Sequence, residues 1–317
     1  VLGDSTARTQ KAGGKVSVTA TTGDVAQGGG LLTLQSDSDG TGTRAANDAL
    51  RVTASNGSVA LGNAVLTGGA LAGGVHGKQS DVFVDAAQNV TVKEAHGRSI
   101  GLRASAGALA ADKLDALEDV FGKAGTTVSV ATSATAGDDL NLTAGTGLTI
   151  NQGTASGTGA DGHTVDRSGA ALGVIADAGT PNLSNITLTS AAGNILATTL
   201  TAQRDVLVTA TTGNAMVTSA TALTRDVKVL AGGDATLGSG SAGNDIVVDA
   251  GDDASLGTGT ATNSILVRGV NNAALGNATT TNAFVTVQAG KLASVTGDVT
   301  AKTDYTVTGG TGVVLGD

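Results

Sequence analysis

Nineteen residues are written almost three times over: "DVKVLAGGDATLGSGSAGN" from Asp226, "DIVVDAGDDASLGTGTATN" from Asp245 and "SILVRGVNNAALGNATTTN" from Ser264. Their chemistry falls into columns. Val227, Ile246 and Ile265 share one, Val229, Val248 and Val267 the next, then Ala235, Ala254 and Ala273, and Leu237, Leu256 and Leu275. A fixed period of this kind restricts the chain to architectures built by stacking one small unit on the next.

Within each unit the apolar residues alternate, as in Ile246-x-Val248 and Ala254-x-Leu256, which is the two-residue period of a strand with one buried face. Gly, Asn and Asp between these runs supply turns. Two or three strands this short cannot bury their own apolar face. They bury it by pairing in parallel with the same strand one coil away, so that like residues form ladders. Asn244, Asn263 and Asn282 close successive units and are expected to stack as an amide ladder at one corner. Propeller blades need about 40 residues, and leucine-rich repeats a denser Leu pattern. A β-solenoid remains.

Copies of 19 to 21 residues continue upstream, from Asn185 and Asp205, and downstream, from Ala283 and Asp304. Looser ones start at Lys15, Leu50, Asp81 and Asp139. Leu2-Gly3 and Leu315-Gly316 hold equivalent columns, which at roughly 20 residues per coil and about 4.8 Å per coil implies about 16 coils spanning ~75 Å. Val1 begins in mid-pattern, so residues 1–317 read as a single β-solenoid shaft cut from a longer chain. Two stretches break the rhythm. "ALAADKLDALEDVFGKAG" at 108–125 spaces Leu114, Leu117, Val120 and Phe121 as a helix would, predicting a short helical insertion. The Gly-, Ser- and Thr-rich run 152–173 predicts a loop insertion on one face.

Small and β-branched side chains must fill the core, because there are 49 Gly and only four aromatic residues, Phe83, Phe121, Phe284 and Tyr305. A net charge of −9 leaves no basic stripe for a phosphate backbone, so nucleic acid is not an expected partner. No apolar run reaches the ~18 residues of a spanning helix. The absence of Cys fits a chain exported unfolded, and equally many others.

The alternating Val/Ile/Leu columns, the 19-residue unit and the phrase "AGxDxxLG" at Ala231–Gly238 and Ala250–Gly257 resemble the filamentous-haemagglutinin family of bacterial two-partner-secretion exoproteins. The resemblance is clear after Asn185 and weaker before it. It implies a right-handed parallel β-helix, secretion through an outer-membrane partner, and an extracellular or cell-surface adhesin or filament. The Asn-Pro-Asn motifs of the family's export domain have only "TPNLSN" at Thr180 to answer them, so the chain resembles shaft rather than export domain.

"GRSIG" places Ser99 in a nucleophile-elbow pattern, but a Gly- and Ser-rich chain generates such a match as an ordinary turn. The GxGxxG matches at Gly157 and Gly238 lack the strand-to-helix context of a dinucleotide site. "GDD" at Gly137–Asp139 and at Gly251–Asp253 offers paired carboxylates of the kind polysaccharide hydrolases use. In the repeat, however, Asp252-Asp253 alternates with Gly233-Asp234 and Asn271-Asn272, which reads as turn chemistry. His76, His96 and His163 stand alone in sequence and read as solvated loop residues, so no catalytic, cofactor-binding or metal-ligating residue is assigned. Ca²⁺-binding toxin repeats need a nine-residue period, whereas here the period is about twenty and Asp245 becomes Ser264 one coil on; occasional exposed Asp leaves only weak Ca²⁺ binding open. The leading expectation is a non-enzymatic structural shaft that spaces or presents adhesive regions toward host cells, neighbouring cells or matrix, with end-to-end self-association of coils. The alternative is a carbohydrate-active β-helix enzyme acting through Asp139 or Asp253.

Overall fold

A computed structural model describes residues 8–12, 16–36, 48–68, 81–157 and 184–316. They form two compact units, Val1–Gly145 with Ser156–Leu183, and Thr146–Ala155 with Ser184–Asp317. Each is an all-β parallel solenoid.

The repeat shows its logic in the second unit. The strand Ile246–Ala250 alternates buried and half-buried residues along its whole length. Ile246 pairs with Val227 on one side and Ile265 on the other, and Val248 pairs with Val229 and Val267. All six are fully buried, so the column carries the same buried methyl groups at every level, each aliphatic side chain contributing roughly 1.5–3 kcal/mol. Seven such strands stack in register in this sheet: Ile186–Ser190, Val206–Ala210, Val227–Ala231, Ile246–Ala250, Ile265–Gly269, Val285–Ala289 and Tyr305–Gly309.

The opposite wall uses strands such as Ala235–Ala242, Ala254–Ala261 and Ala273–Thr280, again in register. Their alternation breaks once. Gly238 and Ser239 both face outward before Gly240 turns in, so the strand bends and a coil acquires a further corner. Glycine is required there and at the next turn: a Cβ on Gly257 would overlap the carbonyl oxygen of Gly238, and one on Gly251 that of Gly232. The spacing of stacked backbones leaves no room for it.

The first unit follows the same rule with Val16–Ala20, Asp48–Ala54, Asp81–Ala86, Ile100–Ala104, Val120–Ala124 and Leu140–Ala144. Val82, Ile100, Val120 and Leu140 are its buried column. Phe83 and Phe121 lie in the neighbouring column on either side of Gly101, yet both are buried and pack together. The Arg51 guanidinium lies 4.5 Å from the Phe83 ring centre, a cation–π contact.

Two expectations are corrected. Residues 108–125 contain no helix: Leu109–Ala116 and Val120–Ala124 are strands joined by a bend at Leu117-Glu118. Leu114 and Val120 point into the core on different walls, and Leu117 is exposed at the bend. The helical spacing arose from two short strands meeting at a corner. The count of about sixteen coils is also too high, since the described residues supply six and seven strands of the second sheet in the two units. Length divided by twenty overcounts because not every residue lies in a coil. Instead Val16 pairs with Leu50, Leu50 with Val82, and Leu148 with Ile195, steps of 34, 32 and 47 residues.

Of the run 152–173, Gln152–Ala155 belong to the strand Gly147–Ala155. Residues 158–173 lie outside the described residues, as do Leu2-Gly3, His76, His163 and 180–183. Among the described residues no helix is long and apolar enough to cross a membrane.

Candidate functional site

Corner residues immediately before each second-sheet strand are stacked by the same register that stacks the strands. In the second unit this column is Asp205, Asp226, Asp245 and Ser264. Each carboxylate caps the coil above it. Asp205 Oδ1 accepts from the Asp226 N–H at 3.0 Å, Asp226 Oδ1 from the Asp245 N–H at 3.2 Å, and Asp245 Oδ1 from the Ser264 N–H at 2.9 Å. Amide donors reinforce them: Asn244 Nδ2 donates to Asp226 Oδ1 at 2.8 Å, and Asn263 Nδ2 to Asp245 Oδ1 at 3.0 Å. The expected Asn-on-Asn ladder is thus replaced by Asn-to-Asp bonds, because a carboxylate one coil away is the stronger acceptor. Lys228 Nζ adds an ion pair to Asp226 Oδ2 at 2.7 Å. Burial pushes the Asp226 carboxyl up, but the bonds from Lys228, Asn244 and the Asp245 N–H outweigh it and hold the group below its ordinary value.

A second column in this unit, Asn194, Asn214, Asp234, Asp253 and Asn272, caps successive backbone N–H groups in the same way. Asp234, Asp252 and Asp253 bring carboxylate oxygens within 4.8 Å of one another. Asp252 and Asp253 are exposed, and the Asp253 of "GDD" spends Oδ1 on the Asn272 N–H and side-chain amide. That is the turn chemistry read from the repeat.

The other "GDD" differs. In the first unit the corner column is Ser99, Asp119 and Asp139, with Arg98, Glu118 and Asp138 just before them. Glu118, Asp119, Asp138 and Asp139 are all buried, and oxygens of Asp119, Asp138 and Asp139 lie within 4.8 Å of one another. Asp119 Oδ1 accepts weakly from the Asp139 N–H at 3.3 Å, while Oδ2, on a residue only 1% exposed, has no hydrogen-bond partner among the described residues. Burial is the main reason that the Asp119 carboxyl is pushed up to about 8; the Asp139 N–H opposes it, and the charges of Asp138, Asp139 and Glu118 add to it. The nearby cation, Arg98, holds Asp81 in a bidentate fork at 3.1 Å and approaches Glu118 at 3.9 Å. Sequence reading found Asp138-Asp139 but not Glu118-Asp119, which it placed in a helix. The signal was present as "LED" twenty residues before "GDD".

Ser99 sits fully buried at the bend between Val90–Gly97 and Ile100–Ala104, so a strand follows it where a nucleophile elbow needs a helix. Gly238–Gly243 likewise opens no helix. His96 corrects the reading of a solvated loop residue. It is buried in a strand, with Nε2 3.2 Å from Glu94 Oε2 and Nδ1 3.5 Å from Asp115 Oδ2. Asp115 is its ladder neighbour one coil on, a proximity that only register reveals. On the second unit, a concavity of about 620 Å³ lies between Thr209, Leu230, Val270 and the paired Asp249 and Arg268.

No family model matches this chain, and no curated protein or solved structure is significantly similar to it.

Proposed function

We propose that the chain is the structural shaft of a secreted bacterial surface adhesin or extracellular filament, of the filamentous-haemagglutinin type, presenting or spacing adhesive regions. The observation that carries this reading is the use of polar side chains. From Asp205 to Ser264 and from Asn194 to Asn272, carboxylates and amides are committed to the backbone of the next coil. Such ladders stiffen stacking and present repeated surface. Electron microscopy of the full-length parent protein tests the proposal. An extended shaft is expected, and a compact particle without one would overturn it.

A carbohydrate-active enzyme is the second reading. One observation favours it: oxygens of Asp119, Asp138 and Asp139 gather within 4.8 Å of one another, and glycoside hydrolysis works through neighbouring carboxyl groups. Depolymerisation of an acidic polysaccharide by the purified chain, lost in Asp139→Asn, would put this reading ahead. Lack of any cleavage across a polysaccharide panel would remove it.

A further inference from the structure

We infer that the buried corner formed by Asp119, Asp138 and Asp139 is a binding site for a hard divalent cation of the Ca²⁺ class, which ties one coil of the first unit to the next. Asp119 comes from the bend before Val120–Ala124, and Asp138 and Asp139 from the bend before Leu140–Ala144. Their oxygens lie within 4.8 Å of one another. Ligands at Ca²⁺–oxygen distances of about 2.3–2.6 Å stand no more than roughly 5 Å apart, so one ion can touch all three.

Acid clustering alone would not make a site, since the chain also gathers acids at Asp252-Asp253. Two further observations separate the corner from ordinary turn chemistry. Among the described residues, Asp119 Oδ2 is buried without a hydrogen-bond partner, and Ser99 Oγ, one coil earlier in the same column and fully buried, is without one too. Buried oxygens left this way are costly unless something positive meets them.

The second observation is the substitution pattern between equivalent corners. Asp226 receives an amide from Asn244, which precedes Asp245, and an ammonium from Lys228, two residues on. Around Asp119 those positions hold Asp138, which precedes Asp139, and Phe121. The donors of the second unit are replaced by another acid and an apolar ring. A cation supplies what both lack.

Oxygen-only ligation selects against Zn²⁺, which favours His and Cys. Mg²⁺ demands octahedral geometry at about 2.0–2.1 Å and keeps several waters, which a corner buried this deeply does not favour. The inference does not depend on the adhesin reading.

The test uses the whole 1–317 chain, stripped with EDTA and titrated with Ca²⁺ by calorimetry, with Tb³⁺ luminescence as a second probe. Saturable binding is expected, with a rise in melting temperature of about 5 °C or more at saturating Ca²⁺. Asp119→Asn and Asp138→Asn should each weaken Ca²⁺ binding at least about tenfold, since loss of even an outer-shell partner of a metal ligand costs about that much. Asp253→Asn, at the exposed cluster, should leave it unchanged. Wild-type protein that binds no Ca²⁺ at millimolar concentration overturns the inference, whatever the variants do. So does binding that survives Asp119→Asn and Asp138→Asn but is lost in Asp253→Asn, or a site that takes Mg²⁺ as tightly as Ca²⁺.

Discussion

Asp119 and Asp226 occupy the same place in their coils, one residue before a core valine that opens a second-sheet strand, yet their protons behave oppositely. Asp226 is held below the ordinary carboxylate range and Asp119 is pushed up to about 8. Both accept a backbone N–H from the next coil. What differs is the company: Lys228 and Asn244 at one, Glu118, Asp138 and Asp139 at the other. A repeat can therefore keep its backbone pattern while reversing the electrostatics of a corner, because the columns that fill the core are independent of those that line the bends.

The largest expected difference is in pH dependence, with divalent cations withheld. Asp119 is raised when folded, so its contribution is fully present below about pH 4, where the unfolded chain is also protonated, and is lost as pH rises toward 8. The groups facing it are Glu118, Asp138 and Asp139, with Arg98 engaged on Asp81. Asp226 has the opposite sign, contributing above about pH 4 and losing that contribution as pH falls below it. Melting temperature should fall between pH 4 and 8 in the wild type and much less in Asp119→Asn, whose amide mimics the protonated acid. Equal slopes in the two proteins would remove the distinction between the corners.

Next in size are the turn glycines, which should make the two units behave alike. Gly145→Ala meets the Gly125 carbonyl in the first unit and Gly251→Ala the Gly232 carbonyl in the second. Each should lower unfolding free energy by about 3 kcal/mol in denaturant titrations. A loss in one unit only would mean that stacking distance is not the shared constraint.

Exchanging the corner chemistry sharpens the comparison further. Asn244→Asp removes the donor to Asp226 and adds a charge, and should cost about 2 kcal/mol at pH 7. Asp138→Asn in the EDTA-treated protein introduces an amide where the second unit has one, and should stabilise by about 1 kcal/mol. Destabilisation by both would show that the corners are not interchangeable. The smallest effect belongs to Arg268→Ala, at a half-exposed surface pair with Asp249, worth about 0.5 kcal/mol and fading in high salt. A loss of several kcal/mol would make that concavity a structural element rather than a surface.

The columns Val227, Ile246, Ile265 and Val229, Val248, Val267 were legible in the sequence because a strand's inward face has period two and a solenoid repeats it at each coil. All-β architecture and parallel stacking followed from that alone. The residues 108–125 were not legible. Leu114, Val120 and Phe121 satisfy a helical spacing and a bent pair of strands equally well, and only pairing with Val90–Gly97 and Leu140–Ala144 decides between them. That misreading also concealed the acidic corner, because Glu118-Asp119 meets Asp138-Asp139 only when both lie at bends of adjacent coils.

Sequence by itself determined the repeat, the walls of the coil and the glycine turns, since these depend on local alternation and on like residues stacking on like. The tertiary structure decided which "GDD" is buried, that His96 lies between Glu94 and Asp115, and that Asn244 and Asn263 bond to carboxylates rather than to each other. Those outcomes turn on side chains about twenty residues apart being brought within hydrogen-bond or ion-pair reach by register. Burial and charge at a corner are properties of three neighbouring coils at once, and no single coil's sequence contains them.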